Sequence, residues 1–202
     1  MNISASEALA QLKSGNQRFA SGSPTHQLAS IGRAELLDGQ SPKAVVLGCS
    51  DSRVPAEIIF DQGLGDLFVI RVAGNIVAPS QIGSVEFAVE QFDTRLVVVL
   101  GHSRCGAIKA AIGAMRNPET QHSRNMRSIV DRIRPAIQDL NLENLYLSED
   151  KLAELAVKAN IFYSIRQLRH ASPTIEQFTR ESRGEIIGAE YSLETGIVTF
   201  FR

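Results

Sequence analysis

The sequence predicts an α/β protein. Its mainly parallel central β-sheet has about four parallel strands plus an antiparallel C-terminal edge strand, flanked by helices, with an N-terminal helical arm. Three observations carry this. Apolar runs rich in β-branched residues at 44–48, 67–72 and 96–100 show little polar alternation, as strands buried on both faces do. Stretches with helical spacing separate them, and that alternation favours parallel strands joined by crossover helices. The chain ends in two apolar runs, 186–191 and 197–201, around Glu194-Thr195-Gly196, which reads as a hairpin.

In chain order, Ser4 and Glu7 have capping-box spacing at the start of a helix over 4–20, whose apolar stripe is Ala8, Leu9, Leu12 and Phe19. Polar sequence with Gly and Pro follows at 21–26, then a short helix near 30–37. After the first strand, 44–48, Pro55 suits the first turn of a short helix over 55–60. The second strand, 67–72, runs into a turn at Ala73-Gly74-Asn75. Ile82, Val85, Val89 and Phe92 mark a helix over 80–92; the third strand, 96–100, precedes another over 104–115. Ile129, Val130, Ile133 and Ile137 share a face over 121–139, interrupted by Pro135. The longest helix spans 149–170, with Leu152, Leu155, Ala156, Ala159, Phe162, Ile165 and Leu168 inward.

The 202 residues suit one domain with a sizeable core, and no repeat or low-complexity tract divides them. Residues 1–40 are read as the helical arm and 41–202 as the α/β core. With 21 basic and 22 acidic residues, nothing favours nucleic acid or an anionic membrane as partner. No apolar stretch approaches the roughly 18–20 residues of a spanning helix. The N-terminus lacks the basic-then-apolar pattern of a secretory signal, so a cytoplasmic location is expected. In that compartment the two cysteines are read as metal ligands or reactive thiols rather than a disulfide.

Both cysteines fall in two short segments that follow strands: Cys49-Ser50-Asp51-Ser52-Arg53 and Gly101-His102-Ser103-Arg104-Cys105-Gly106. Functional groups gather at the carboxyl ends of strands in such sheets. If the first and third strands are neighbours, the segments face each other across roughly 5 Å. Cys49 and Asp51 are two apart on an extended exit, and His102 and Cys105 three apart on a turn entering a helix. Gly48 and Gly101 are read as letting the backbone turn close to the site, with Gly106 keeping its surroundings open. Two thiolates, an imidazole and a carboxylate form a tetrahedral zinc set with one weakly held oxygen ligand. Such a site reads as catalytic, because the oxygen ligand can leave. The alternative Gly-x-Ser-x-Gly nucleophile elbow fails at its fifth position, where Cys105 stands.

With these segments the chain resembles the β-class carbonic anhydrases over nearly its whole length. Further matching stretches are Ser14-Gly15-Asn16-Gln17-Arg18-Phe19, Ile59-Phe60-Asp61, Gly65-Asp66-Leu67-Phe68-Val69, Ala73-Gly74-Asn75, 84–89 and 188–196. The resemblance implies one zinc per chain, held by Cys49, His102 and Cys105. Asp51 is then either the fourth ligand or the partner of Arg53, whose planar guanidinium grips a carboxylate through two hydrogen bonds. Released by Arg53, Asp51 binds zinc and blocks catalysis. The implied activity is that of a zinc lyase: reversible hydration of carbon dioxide to bicarbonate and a proton through zinc-bound hydroxide.

The resemblance also implies substrate contacts. Gln40, nine residues before the first cysteine, reaches the site of a neighbouring subunit, so a dimer or tetramer is implied, with the 4–20 helix lying across the partner. Phe68, Ala73 and Phe87 line the apolar side of the pocket, and the Gly106 N–H is a candidate anion donor. Phe87 stands where tyrosine is commoner, and Val72 where asparagine is frequent. The chain has no tryptophan, around which some members build an allosteric bicarbonate site. His26, His122 and His170 are conceivable proton shuttles, and none is assigned. Two other activities are weighed: hydrolysis of carbon disulfide or carbonyl sulfide on the same scaffold, and a non-catalytic zinc-stabilised protein.

Overall fold

The computed structural model describes residues 3–25, 36–117, 119–138, 140 and 147–201. Strands β1 (Ala44–Gly48), β2 (Leu67–Arg71), β3 (Leu96–His102), β4 (Glu185–Tyr191) and β5 (Val198–Phe201) form one sheet in the order β2-β1-β3-β4-β5. The first four are mutually parallel and β5 is antiparallel to β4, as expected. Every residue of β1 and β3 is buried, because helices cover both sheet faces. On one face Val45, Leu47, Val97 and Val99 pack with α3 (Pro79–Gln91), α4 (Gly106–Arg116), α5 (Arg124–Gln138), α6 (Glu149–Arg169) and α7 (Pro173–Arg180). On the other, Ala44, Val46, Leu96, Val98 and Leu100 pack with α1 (Ala5–Ala20) and α2 (Ala56–Ile59). The alternation follows the two-residue period of strands.

Four elements differ from the sequence reading. β3 continues through Gly101 and His102, which pair with Glu190 and Tyr191, so His102 sits on the strand rather than beyond it. Gly101 is there for packing, not turning: a Cβ on it would come within 2.7 Å of the Ile161 side chain on α6. α5 runs through Pro135, because Ala136 and Ile137 after it are buried together with Val130 and Ile133 before it. On α6, Phe162 is 44% exposed and stacks on Phe201 at 5.6 Å, and Leu155 and Ala159 are only half-buried. The inward face is rotated by one position, through Ala153, Val157, Ile161 and the polar pair Asn160 and Ser164.

α7 was not expected, although Ser172 caps it and Pro173 occupies its first turn. The helix predicted near 30–37 falls largely outside the described residues, as does His26. Among the described residues no helix is long and apolar enough to cross a membrane.

The predicted capping box starts α1: the Ser4 hydroxyl accepts from the Glu7 N–H, and the Glu7 carboxylate from the Ser4 N–H. α1 buries Ala8, Leu9, Leu12, Gly15 and Asn16 against its own chain, and Phe19 lies 6.4 Å from Tyr191. The apolar residues of the helix that the resemblance lays across a partner therefore pack on the chain's own core. Buried Asn16 ties three segments together. Its amide donates to the carbonyls of Ile59 (3.2 Å) and Gly196 (2.9 Å), and its oxygen accepts from the Val198 N–H (2.8 Å). Asn16→Ala strands three backbone groups and is expected to cost about 3 kcal/mol. Urea denaturation at fixed protein concentration measures this loss.

Candidate metal centre

β1 and β3 are direct neighbours, with Gly48 opposite Leu100, so the two segments emerge side by side. The ligand atoms of Cys49, His102 and Cys105 all lie within 4.8 Å of one another, and all three residues are buried. Two ligands on a tetrahedral zinc sit roughly 3.8 Å apart, given metal–sulfur lengths of about 2.3 Å. His102 is fully buried, and its Nδ1 lies 2.9 Å from the Ser103 carbonyl. A carbonyl only accepts, so Nδ1 carries the proton and Nε2 presents a lone pair. That Nε2 is buried with no hydrogen-bond partner among the described residues. An orphaned lone pair beside two cysteine sulfurs is what a thiophilic divalent ion satisfies, so the residues fit zinc.

The cysteines are free and buried. A hydrogen bond from Cys105 to the Cys49 sulfur holds the Cys49 thiol well below the usual range and pushes Cys105 above it. The Gly74 N–H donates to the Cys49 sulfur at 3.3 Å. Cys105 lies at the start of α4, where the Ala107 and Ile108 amides favour its thiolate.

Asp51 and Arg53 form the predicted fork. Arg53 Nε donates to Asp51 Oδ1 (2.9 Å), Nη2 to Oδ2 (2.7 Å), and the Arg53 N–H to Oδ1 (3.0 Å). The guanidinium holds the Asp51 carboxyl well below the usual carboxylate range. Asp51 Oδ2 also lies 3.9 Å from His102 Nε2, so the carboxylate borders the ligand set without entering it.

Four supporting residues, Arg71, Ser103, Arg104 and Glu194, were missed from the sequence. Arg71, at the end of β2, donates to the carbonyls of Cys49 (3.2 Å) and Asp51 (2.7 Å). A charged residue ending an apolar strand run was the available signal. Ser103 donates to Glu194 and accepts from the Leu193 N–H, and Arg104, at φ 56°, pairs with Glu194 at 2.7 Å. These bonds fix the strained turn between His102 and Cys105.

The expected substrate residues are more dispersed. Ala73 opens the short turn Ala73–Asn75 that carries Gly74, and exposed Gly106 starts α4. Phe68 on β2 and Phe87 on α3 stack at 6.1 Å, joined by Phe92. Gln40 is exposed ahead of β1, whereas Cys49 follows it. Five strand residues span about 16 Å, so Gln40 lies at the far end of β1 from its own metal centre.

Fold and site together define an α/β protein with a buried Cys–His–Cys cluster, able to hold a metal ion, at the carboxyl ends of its parallel strands. A carbonic anhydrase family model matches residues 44–198, and the chain belongs to the β-class carbonic anhydrase family. It is 41% identical to a carbonic anhydrase of Mycolicibacterium smegmatis over 188 residues, covering 93% of this chain and 88% of that protein. It is 50% identical to carbonic anhydrase 2 of Mycobacterium tuberculosis over 127 residues, 62% of this chain; that match spans only 61% of the relative's length. Among solved structures, the β-carbonic anhydrase CcaA superposes with TM-score 0.74 at 30% identity, over 96% of this chain and 87% of CcaA. CafA of Aspergillus fumigatus gives 0.76 at 25% identity, over 97% and 89%.

Proposed function

We propose that the protein is a carbonic anhydrase. It catalyses reversible hydration of carbon dioxide, with one zinc per chain held by Cys49, His102 and Cys105. The observation that carries this reading is the arginine-clamped carboxylate 3.9 Å from the orphaned His102 nitrogen. A purely structural zinc site has four closed ligands, whereas here three protein ligands converge and the fourth group is held aside. Bound zinc supplies Lewis acidity that makes hydroxide available near neutral pH.

The chain's own residues do the rest. Arg53 keeps Asp51 ionised and turned away, leaving a coordination position free of protein. Asp51 accepts a hydrogen bond from the attacking oxygen and aims its lone pair at the substrate carbon. Phe68, Ala73 and Phe87 offer an apolar wall suited to a small linear substrate, and the Gly106 N–H donates to the anionic product. Stopped-flow assay of zinc-quantified protein is expected to show carbon dioxide hydration. Two thiolates donate more charge than imidazoles, so the activity should rise toward alkaline pH. Fully zinc-loaded protein without such activity overturns the reading.

The proposed assembly is a dimer or higher oligomer in which Gln40 serves a second subunit's site, since it cannot reach its own. β2 is a sheet edge, and Leu64 before it and Phe87 on the helix beside it are 44% and 50% exposed. Equilibrium sedimentation is expected to show a dimer or tetramer at micromolar concentration. An active monomer would refute the arrangement.

A further inference from the structure

Two polar residues of α6, Asn160 and Ser164, are 1% exposed inside an otherwise apolar face. Burying an amide is costly unless it is paired; the Asn160 Nδ2 is paired at one spot, while its Oδ1 has no hydrogen-bond partner among the described residues. The Asn160 amide donates to the Gly74 carbonyl at 2.8 Å, and one helical turn later the Ser164 hydroxyl donates to the Asn75 carbonyl at 3.2 Å. The other side of the same peptide chain carries the Gly74 N–H that bonds the Cys49 sulfur. Gly74 is at φ +72°, and a Cβ there would lie 2.7 Å from Ile133 and 3.1 Å from Ala107. α4, α5 and α6 thus close on a glycine whose two polar groups connect a helix amide to a cysteine sulfur.

We propose that Asn160 is a positioning residue for the metal centre: by holding the Gly74 carbonyl it fixes the conformation of Gly74, so that the N–H of the preceding peptide bonds the Cys49 sulfur and limits that sulfur's donation to the metal. The inference rests on the ligand set proposed above. An N–H directed at a thiolate draws electron density from it, so the metal keeps more of its acidity. Losing the Asn160 anchor lets the turn relax, and the sulfur becomes a stronger, less oriented donor. Ser164 grips the neighbouring carbonyl and does not touch Gly74, which makes it the control.

Cobalt(II)-substituted protein reports sulfur donation through its sulfur-to-cobalt charge-transfer band. Asn160→Ala is expected to move that band to longer wavelength and to weaken zinc binding about 10- to 100-fold, the usual effect of losing a partner behind a ligand. Ser164→Ala is expected to leave the band in place. An unmoved band in cobalt-loaded Asn160→Ala, or an equal movement in Ser164→Ala, overturns the proposal.

A second measurement needs no variant. In protein loaded with cadmium-113, the Gly74 amide proton is expected to show scalar coupling to the metal through the N–H···S bond, alongside coupling to the β protons of Cys49 and Cys105. Coupling to the β protons without coupling to Gly74 overturns the role given to Asn160. If cadmium couples to neither cysteine, the ligand set itself is wrong and the inference falls with it.

Discussion

Cys105→Ala is expected to purify without stoichiometric zinc and to have hydration activity at background. Cys105 is 2% exposed, and its sulfur lies between Cys49 and the first turn of α4. Its removal leaves one thiol and one imidazole, with Asp51 held by Arg53 and unavailable as a third ligand. A group behind a ligand is worth about 10- to 100-fold in metal affinity, so loss of a ligand itself should exceed that. His102 Nε2 then has neither metal nor protein partner, a penalty of about 1–3 kcal/mol for a buried polar atom. Elemental analysis, competition with a chromophoric chelator and thermal unfolding with and without added zinc measure these effects. Wild-type zinc content with wild-type activity would remove Cys105 from the site. The stabilising effect of added zinc should disappear in the variant, because metal binding is linked to folding only where a site exists.

How much of this was legible beforehand depended on how locally each feature is encoded. β1 and β3 stood out because burial on both faces leaves an unbroken apolar run. Cys49, Asp51 and Arg53 lie within five residues, and His102 and Cys105 within four, so ligand spacing and the Asp51–Arg53 fork were readable as short patterns. The convergence of the two segments followed from a topological rule rather than from any one residue. Asn160 was not legible: its partner Gly74 is 86 positions away, and a polar residue in a helical stripe gives no sign of which carbonyl it meets. Phe162 was misplaced because adjacent positions on a helix differ by about 100°, and a long apolar stripe does not identify its own centre. Pro135 was read as a break because its local cost is evident, while the burial of Ala136 and Ile137 that offsets it is tertiary.

Arg53→Ala separates the ligands from the residue that restrains Asp51. Its side chain is 53% exposed, so its removal opens no cavity and the fold should survive. Zinc content should stay near one per chain, because Arg53 contributes no atom to the Cys49–His102–Cys105 set. Activity is nevertheless expected to fall at least ~100-fold, the scale of disturbing a metal's outer partners or a key catalytic hydrogen bond. Without the fork, among the described residues Asp51 keeps the hydrogen bond from the residue-53 N–H, at 3.0 Å. Its Oδ2 starts 3.9 Å from His102 Nε2, so a small rotation brings it into the ligand set and closes the free position. Arg53→Lys should recover little, since one ammonium cannot hold both carboxylate oxygens in a plane. Asp51→Ala in the Arg53→Ala background removes the blocking group, so Asp51 should no longer reach the metal in that double variant. Three readouts decide the matter: metal analysis, stopped-flow rates, and the cobalt(II) spectrum, which reports a protein oxygen entering the site. Near-wild-type hydration by zinc-replete Arg53→Ala would mean that Asp51 never threatens the free position, and the restraint assigned to Arg53 would have to be abandoned.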